Sequence, residues 1–288
     1  HLQLLSSQAD AMTMESVPLV LIHGWKSHPD IWRRLREKVP LPTELVWLFD
    51  YSNLHTSTIS HIAHQLKSFL HEKRKAAGYT GPIDIVCHSM GGYVTRYYLE
   101  VLDGKKREEK VRQLIEIGVP NQGSSMAEIF NDPVHGPRVI QVLSGEFVPR
   151  RYEPEHDVNV QGLRIRSRET SELRKAGIRP DIRYRNILAA NRTGDPAFFP
   201  SFEGRTWVLG HDEIWRTTWL GDGVIPHYDS YLPGTEFDII PSEPGSMLAE
   251  PYQYCHIYLP KNPEVIRLII RYITHPHAPS SDMFPINR

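Results

Sequence analysis

Short apolar runs alternate with helical segments over the first 117 residues of the chain. The first run is Val17–Ile22, and similar runs occupy residues 45–49, 83–87 and 114–117. Runs that are apolar at nearly every position and rich in β-branched residues are typical of strands buried on both faces of a parallel sheet. Between the second and third runs, apolar residues recur at helical spacing from about residue 57 to 77. This alternation predicts a doubly wound, mostly parallel α/β sheet.

The alternation is interrupted between residues 124 and 181. This stretch is rich in Pro, Arg and Glu, with short helical patterns near residues 139–143 and 169–176. Insertions of this length in a regular α/β chain more often form a lid than an idle loop. The sequence therefore predicts a lid or cap that is built from residues 124–181.

The regular pattern then resumes and completes the predicted core. Strands near residues 184–190 and 237–240 bring the sheet to about six strands, and a terminal helix is expected at about 263–273. The predicted segments are a lead-in at 1–16, an α/β core at 17–123 and 182–275, a cap at 124–181 and a tail at 276–288.

Composition argues against several classes of function. The 33 Lys and Arg residues balance 34 Asp and Glu residues, and a net charge of −1 does not indicate a nucleic-acid partner. No apolar stretch approaches the roughly 20 residues of a transmembrane helix. Residues 1–5 carry neither a basic nor a long apolar segment, so no signal peptide is predicted. The compartment, cytoplasmic or secreted, stays open.

The histidines and cysteines do not form a recognisable metal site. Residues His61, His64 and His71 lie opposite the apolar face of the predicted helix, which favours a solvated surface. Two cysteines, Cys87 and Cys255, cannot form a disulfide scaffold or a thiolate zinc site, and we expect two free, buried thiols. The sequence therefore predicts no metal and no cofactor.

The motif that carries most chemical information is Val86-Cys87-His88-Ser89-Met90-Gly91-Gly92. It puts Ser89 at a sharp turn between the end of a predicted strand and the start of a predicted helix. Such a turn requires small neighbouring residues and lifts the serine hydroxyl clear of the sheet. The start of the helix directs backbone amides to the same point, where they favour a developing negative charge.

This motif resembles the nucleophile elbow of the α/β-hydrolase fold, and the chain is similar to bacterial lipases and esterases of that fold. The resemblance implies that Ser89 is the nucleophile and that the backbone amide of Met90 is one oxyanion donor. The segment His23-Gly24-Trp25 resembles the lipase H-G-x motif, which implies the amide of Trp25 as the second donor. The sequence departs from the usual G-x-S-x-G pattern at Cys87, which replaces the first glycine.

The resemblance also implies a triad in the chain order Ser, acid, His. Residue His256 lies in a loop between the last predicted strand and the terminal helix, where the family has its catalytic histidine. The segment Gly221–Pro226 resembles the lipase D-G-x-V-P signature, which implies Asp222 as the acid. Two other acids, Asp195 and Asp229, remain alternatives.

The function implied by the resemblance is that of a serine carboxylic ester hydrolase. Its expected partner is a small-molecule acyl ester or lipid, either dissolved or at a lipid–water interface. A thioesterase, an acyltransferase and a phospholipid or glycolipid deacylase use the same triad and remain alternatives. A non-catalytic binding protein of this fold is the alternative from a different class. The segment Gly118–Ser124 resembles the lipase stretch G-T-P-H-x-G-S, with Asn121 in place of His, and assigns no catalytic role.

Overall fold

The computed structural model describes residues 17–286, so the predicted lead-in at 1–16 lies outside the described residues. Its strands are β1 Leu19–Ile22, β2 Val46–Phe49, β3 Ile83–His88, β4 Val111–Ile117, β5 Arg183–Ala189, β6 Thr206–Leu209, β7 Trp215–Thr218, β8 Glu236–Ile240 and β9 Asp282–Met283. Seven of them form one sheet in the order β2-β1-β3-β4-β5-β8-β9. Neighbours are parallel from β2 to β8, and the edge strand β9 is antiparallel to β8.

The prediction of a mostly parallel α/β sheet is confirmed, and the predicted strands correspond to the six parallel strands of this sheet. The seventh strand, β9, comes from the predicted tail. Its two residues were too few to give a sequence signal. The tail is tied to the core by a second contact, because the carbonyl of Pro276 accepts hydrogen bonds from Arg183 and Arg185.

Helices flank the sheet, and they are numbered here in the order in which they occur along the chain. The α-helices are α1 Arg33–Lys38, α2 Ile59–Ala77, α3 Met90–Arg96, α4 Ser125–Phe130, α5 Gly136–Leu143, α6 Val158–Leu163, α7 Arg168–Ala176, α8 His227–Ser230, α9 Ser246–Ala249 and α10 Pro263–Thr274. A π-helical segment, Tyr97–Asp103, continues α3. Short 3-10 helices occupy Pro29–Trp32, Thr43–Leu45, Gly104–Lys106, Pro154–His156, Pro196–Phe198, Pro200–Phe202, Pro251–Tyr254 and Leu259–Lys261. Within residues 17–286, no helix is long and apolar enough to cross a membrane.

The long helix α2 illustrates how local sequence sets its ends. The hydroxyl of Thr58 accepts a hydrogen bond from the amide of His61 and caps the first turn. The helix ends at Gly78, whose φ of 61° lies in the left-handed region that glycine adopts without strain. Most of the apolar side chains on its predicted inner face are buried, Phe69 is half-buried, and its three histidines are exposed, as predicted.

Strand register brings three loops to the same edge of the sheet. In β1, Ile22 pairs with Phe49 of β2 and with Cys87 of β3. In β3, His88 pairs with Ile117 of β4. Because these strands are parallel, the loops that follow β1, β3 and β4 begin side by side at the carboxyl edge, where ligands bind in folds of this kind. The strands β1 and β3 are buried along their whole length, as their apolar sequences predict.

The predicted cap region is mostly helical, and a second segment packs beside it. Helices α5 and α7 cover the two segments where the sequence has helical spacing. An antiparallel hairpin of β6 and β7 lies against α4, where the amide of Leu209 donates to the hydroxyl of Ser125 at 3.0 Å. On the other side, Trp207 and Trp215 contact the ring of His135. This hairpin was not predicted from the sequence, because strands such as Trp-Arg-Thr-Thr have no continuous apolar run.

Candidate active site

The turn after β3 is strained in the way that the sequence motif predicts. Residue Ser89 has φ 55° and ψ −127°, a conformation that a residue with a Cβ atom adopts only when its surroundings impose it. The two glycines that follow leave space for the crossing chain. A Cβ atom at Gly91 would lie 2.3 Å from the carbonyl oxygen of His23, and one at Gly92 would lie 2.9 Å from the sulfur of Cys87. The cysteine therefore fits at the usual glycine position because Gly92 faces it.

Both cysteines are free and buried, as predicted. Burial raises the pKa of Cys87 well above its usual range and the pKa of Cys255 to about 12. Both thiols therefore stay protonated at neutral pH. A protonated, buried thiol is a poor nucleophile.

A buried histidine and a buried carboxylate lie beside this turn. The Nδ1 atom of His256 is 2.7 Å from Oδ2 of Asp222, and both side chains are 2% exposed. The other carboxylate oxygen, Oδ1, accepts hydrogen bonds from the amides of Val224 and Ile225 at 3.0 and 2.6 Å. An ionised carboxylate only accepts hydrogen bonds, so the contact requires the proton of the imidazole to be on Nδ1. The Nε2 atom of His256 is then free to accept a proton.

The structure brings Asp222, and neither alternative acid, to His256. The carboxylate of Asp195 accepts a hydrogen bond from the amide of Ala197 and caps a short 3-10 helix. The carboxylate of Asp229 is 2.6 Å from the amide and 2.8 Å from the hydroxyl of Ser125, at the start of α4. Both acids thus stabilise local structure.

The histidine and the serine line the same cavity. Its volume is about 190 Å³, and its lining includes Ser89, His256, Gly24 and Trp25. A Cβ atom at Gly24 would lie 3.1 Å from both the Cβ of Ser89 and the carbonyl oxygen of His88. Glycine therefore permits the loop after β1 to approach the turn closely.

The amides of Trp25 and Met90 remain the predicted oxyanion donors. The other lining residues are Lys26, Ser27, Ile31, His88, Glu146, Phe147, Ile257 and Lys261.

The predicted cap region, residues 124–181, contacts Trp25 in the loop after β1. The indole nitrogen of Trp25 donates a hydrogen bond to Asp157 at 3.1 Å, and the hydroxyl of Tyr152 donates to the same carboxylate oxygen at 2.9 Å. The indole also packs against Phe147, with ring centroids 5.4 Å apart. The role of Asp157 was not predicted from the sequence, because it lies 132 positions from Trp25. Its only local signal is the capping of α6, where its Oδ1 accepts from the amide of Val160.

A second histidine supports the loop that carries His256. The Nε2 atom of His88 lies 2.9 Å from the carbonyl oxygen of His256, and the two rings are 4.5 Å apart. Burial, followed by the nearby His256, lowers the pKa of His88 well below its usual range. His88 is therefore neutral at pH 7 and donates from Nε2. This role was not visible in the sequence, where His88 is only the residue before the serine.

The side chains of Asp222 and His256 require a glycine at position 118. Its φ is 55°, and a Cβ atom there would lie 2.6 Å from Oδ2 of Asp222 and 3.2 Å from Nδ1 of His256. The sequence signal was a glycine directly after a buried strand. The reason for a glycine here is evident only in the folded structure, where Asp222 and His256 lie beside it.

Substitution of Gly118 by alanine is expected to lower any activity of this site by about 100-fold or more, because a displacement of about 1 Å in a catalytic group has such an effect. The matched control is Gly78→Ala, at a similar φ of 61° but with no atom within 4 Å of the added Cβ. Both substitutions carry the cost of a left-handed backbone, which thermal unfolding measures. Equal losses of activity in the two variants would contradict the steric explanation.

In the loop after β4, Asn121 connects several buried side chains through hydrogen bonds. Its carbonyl and side-chain oxygens accept hydrogen bonds from Arg96 at 2.9 and 3.2 Å. Its amide nitrogen donates to Glu116 at 3.0 Å, and the other carboxylate oxygen of Glu116 is buried without a partner among the described residues. Burial raises the pKa of Glu116 to about 8, against the opposing effect of Arg96.

Replacing Glu116 with glutamine is expected to remove a pH dependence of stability. The pKa of this group rises from 4.5 to about 8 on folding, so the folded protein binds a proton that the unfolded chain releases. The contribution of the protonated Glu116 carboxyl group to the free energy of unfolding is complete below pH 4.5 and is lost as the pH rises towards 8. Glutamine mimics the protonated form, so the free energy of unfolding of the variant should fall less between pH 5 and pH 8. The predicted difference is of the order of a few kcal/mol, measured by urea unfolding. Parallel pH curves for the two proteins would refute it.

One group of exposed side chains in the described part of the chain is close enough to hold a metal ion. It consists of Glu153, Glu155 and His156 in the predicted cap region. None of the three lines the cavity of Ser89. Exposed acidic groups of this kind are common without a metal.

Known proteins share part of the sequence or the architecture of this chain. The family described as a domain of unknown function (DUF7379) matches residues 6–133, which include Ser89 but neither Asp222 nor His256. No curated protein sequence matches the chain. Among solved structures, phospholipase PlaB from Legionella pneumophila is similar over 93% of this chain and 61% of its own, with 14% identity and a TM-score of 0.55. The lipase BlEst2 from Bacillus licheniformis, in its propeptide form, is similar over 93% of this chain and 52% of its own, with 13% identity and a TM-score of 0.60.

A metagenomic carboxyl esterase, MGS0156, is similar over 91% of this chain and 76% of its own, with 20% identity and a TM-score of 0.53. The chain has the α/β-hydrolase fold. It spans about three fifths of the phospholipase and about half of the lipase. At these identities the likeness concerns the fold, and the α/β-hydrolase fold carries many different activities.

Proposed function

We propose that this α/β-hydrolase is a serine carboxylic ester hydrolase. The observation that carries the proposal is the 2.7 Å contact between His256 and Asp222 beside a cavity that Ser89 also lines. The strained backbone of Ser89 supports it, because strain of this kind is retained where function needs it. The comparisons add that proteins with esterase, lipase and phospholipase names share the fold.

The proposed reaction has two halves. The Nε2 atom of His256 removes the proton of Ser89, whose Oγ attacks the acyl carbon of the ester. The negative charge on the tetrahedral oxygen is stabilised by the amides of Trp25 and Met90. When the ester C–O bond breaks, His256 returns the proton to the alcohol, and an acyl-enzyme remains. Water, deprotonated by His256, then releases the acid and restores Ser89.

Each supporting group has a defined part in this proposal. Asp222 holds His256 in the tautomer that accepts on Nε2 and stabilises the imidazolium that forms.

We assign the α/β core to residues 17–123 and 182–275 and the cap to residues 124–181. The hairpin of β6 and β7 is an addition to the predicted cap, because it packs against α4.

The cavity favours short acyl groups in this conformation. Its volume of about 190 Å³ is below the roughly 300–1,000 Å³ of most small-molecule pockets. The rings of Trp25 and Phe147 and the side chain of Ile31 supply apolar surface. An acyl chain that contacts these groups is removed from water, which favours binding in proportion to the area buried.

Hydrolysis of p-nitrophenyl esters from acetate to palmitate tests the proposal. We expect kcat/KM to peak at four carbons or fewer, on the order of a chain that the cavity can enclose. The variant Phe147→Ala enlarges the cavity and should move the optimum to longer chains. An optimum at palmitate in the wild type would show that the cavity volume does not limit the acyl chain, and its dependence on emulsified substrate would favour a lipase.

A fluorophosphonate probe separates an enzyme from a binding protein of the same fold. An activated serine forms a covalent phosphonate ester and releases fluoride, and we expect one label per chain at Ser89. An unlabelled, folded protein would support the non-catalytic alternative.

A further inference from the structure

Two lysines line the cavity that contains Ser89. They are Lys26, from the loop after β1, and Lys261, from a short 3-10 helix. The ammonium group of Lys26 lies 3.8 Å from Asp157, whose carboxylate also accepts three other hydrogen bonds. Lys261 has no ion pair with a carboxylate among residues 17–286. Both lysines are therefore able to contact a negatively charged group on a bound substrate.

The cationic surface continues outside the cavity. A second hollow of about 280 Å³ shares Ile31 and Lys261 with the first, and Arg33 and Arg34 also line it. The guanidinium of Arg34 donates to the hydroxyl of Tyr258 at 2.6 Å and lies 5.5 Å from the centre of that ring. A guanidinium that is already oriented loses less conformational freedom when it binds an anion.

Acidic side chains do not cancel this charge. Glu146 lines the cavity, and Asp30 lines the second hollow. The carboxylate of Asp30 is 3.3 Å from the imidazole of His28. The lining of the two hollows thus contains two carboxylates and four permanent cations, which are Lys26, Arg33, Arg34 and Lys261.

We propose that the ester or thioester bound at Ser89 carries a phosphate group on its leaving alcohol or thiol. The phosphate contacts Lys26 and Lys261 at the cavity and Arg34 beyond it. A phosphate offers three acceptor oxygens and up to two charges, which suits several converging cations better than a single carboxylate does. The inference rests on the proposed ester hydrolysis. When the acyl C–O bond of an ester or the acyl C–S bond of a thioester breaks, the alcohol or thiol takes the proton from His256 and leaves with its phosphate still attached.

Phospholipid esters and thioesters of phosphorylated carriers share this chemistry. Two matched substrate pairs distinguish them: dibutyryl phosphatidic acid against dibutyrylglycerol, and butyryl-coenzyme A against butyryl-pantetheine. We expect kcat/KM to be about tenfold or more higher on the phosphate member of one pair, as for a charge-assisted contact. The preferred pair identifies the source of the phosphate. The preference should decrease as salt is added, because salt screens partly exposed charges.

Charge variants test which residues produce the preference. The quantity measured is the ratio of kcat/KM on the phosphate substrate to kcat/KM on its neutral partner. Lys261→Gln and Lys26→Gln should each lower this ratio, by about tenfold together. Glu146→Gln should raise it, because it removes the opposing charge from the cavity. The control Lys67→Gln, on the exposed face of α2, should leave the ratio unchanged.

The outcomes separate this inference from the proposed function. If the neutral esters are hydrolysed but neither pair shows a preference for phosphate, the phosphate site is wrong and the ester hydrolase stands. The same conclusion follows if the preference exists and neither lysine variant changes it. If none of the four substrates is hydrolysed and Ser89 takes no fluorophosphonate label, the proposed function fails and the phosphate inference fails with it.

Discussion

Replacement of Ser89 by alanine is expected to lower kcat on p-nitrophenyl butyrate by about a millionfold, the scale seen when a serine hydrolase loses its nucleophile. The remaining rate would come from binding and from the oxyanion donors, which typically supply about 10³–10⁴ over water. The turn itself should persist, because the backbone amide of Ser89 donates to the carbonyl of Ile117 at 3.0 Å whatever the side chain. Burst and steady-state kinetics with an active-site titrant measure the effect.

Two companion variants show whether the loss is chemical. Ser27 also lines the cavity, and Ser27→Ala should stay within a few-fold of the wild type if Ser89 alone attacks the ester. Ser89→Gly should be as inactive as Ser89→Ala and more stable than it by about 1 kcal/mol, because glycine relieves the strain at φ 55°. Full activity in Ser89→Ala, or its transfer to Ser27, would overturn the assignment of the nucleophile.

The sequence was informative where a structural signal is local. The buried strand β1 is a continuous apolar run, β3 is apolar at most of its positions, and α2 has both apolar periodicity and a glycine at its end. These features arise from neighbours a few residues apart. The turn at Ser89 belongs to the same class, since its strand, small residues and helix lie within one short segment.

Features that join distant segments were harder to predict. The sequence alone left Asp222, Asp195 and Asp229 as candidate acids, because each lies in a turn of ordinary composition. Only the folded chain distinguishes them by their partners. The link between Trp25 and Asp157 joins residues 132 positions apart and has no counterpart in local sequence. The short edge strand and the hairpin were missed because a few half-polar residues pair only when the rest of the folded chain is present.

Asp222→Asn is expected to lower kcat by about 10⁴, as the loss of the triad carboxylate does when geometry is preserved. The surroundings of this carboxylate give the physical reason. The amides of Val224 and Ile225 both donate to Oδ1, so an asparagine would keep its oxygen there. Its NH₂ group would then face Nδ1 of His256 and donate to it, which forces the ring proton to Nε2. That tautomer cannot accept the proton of Ser89.

The variant Asp195→Asn provides the matched control for the acid. Its side-chain oxygen can still accept from the amide of Ala197, so local structure and activity should both be retained. Nitrogen NMR of His256 distinguishes the two tautomers directly and should report a protonated Nε2 only in Asp222→Asn. A large loss of activity in Asp195→Asn, with Nδ1 still protonated in Asp222→Asn, would move the triad acid to Asp195. Because the two substitutions alter the same functional group, their difference measures the contact with His256 and not a general effect of lost charge.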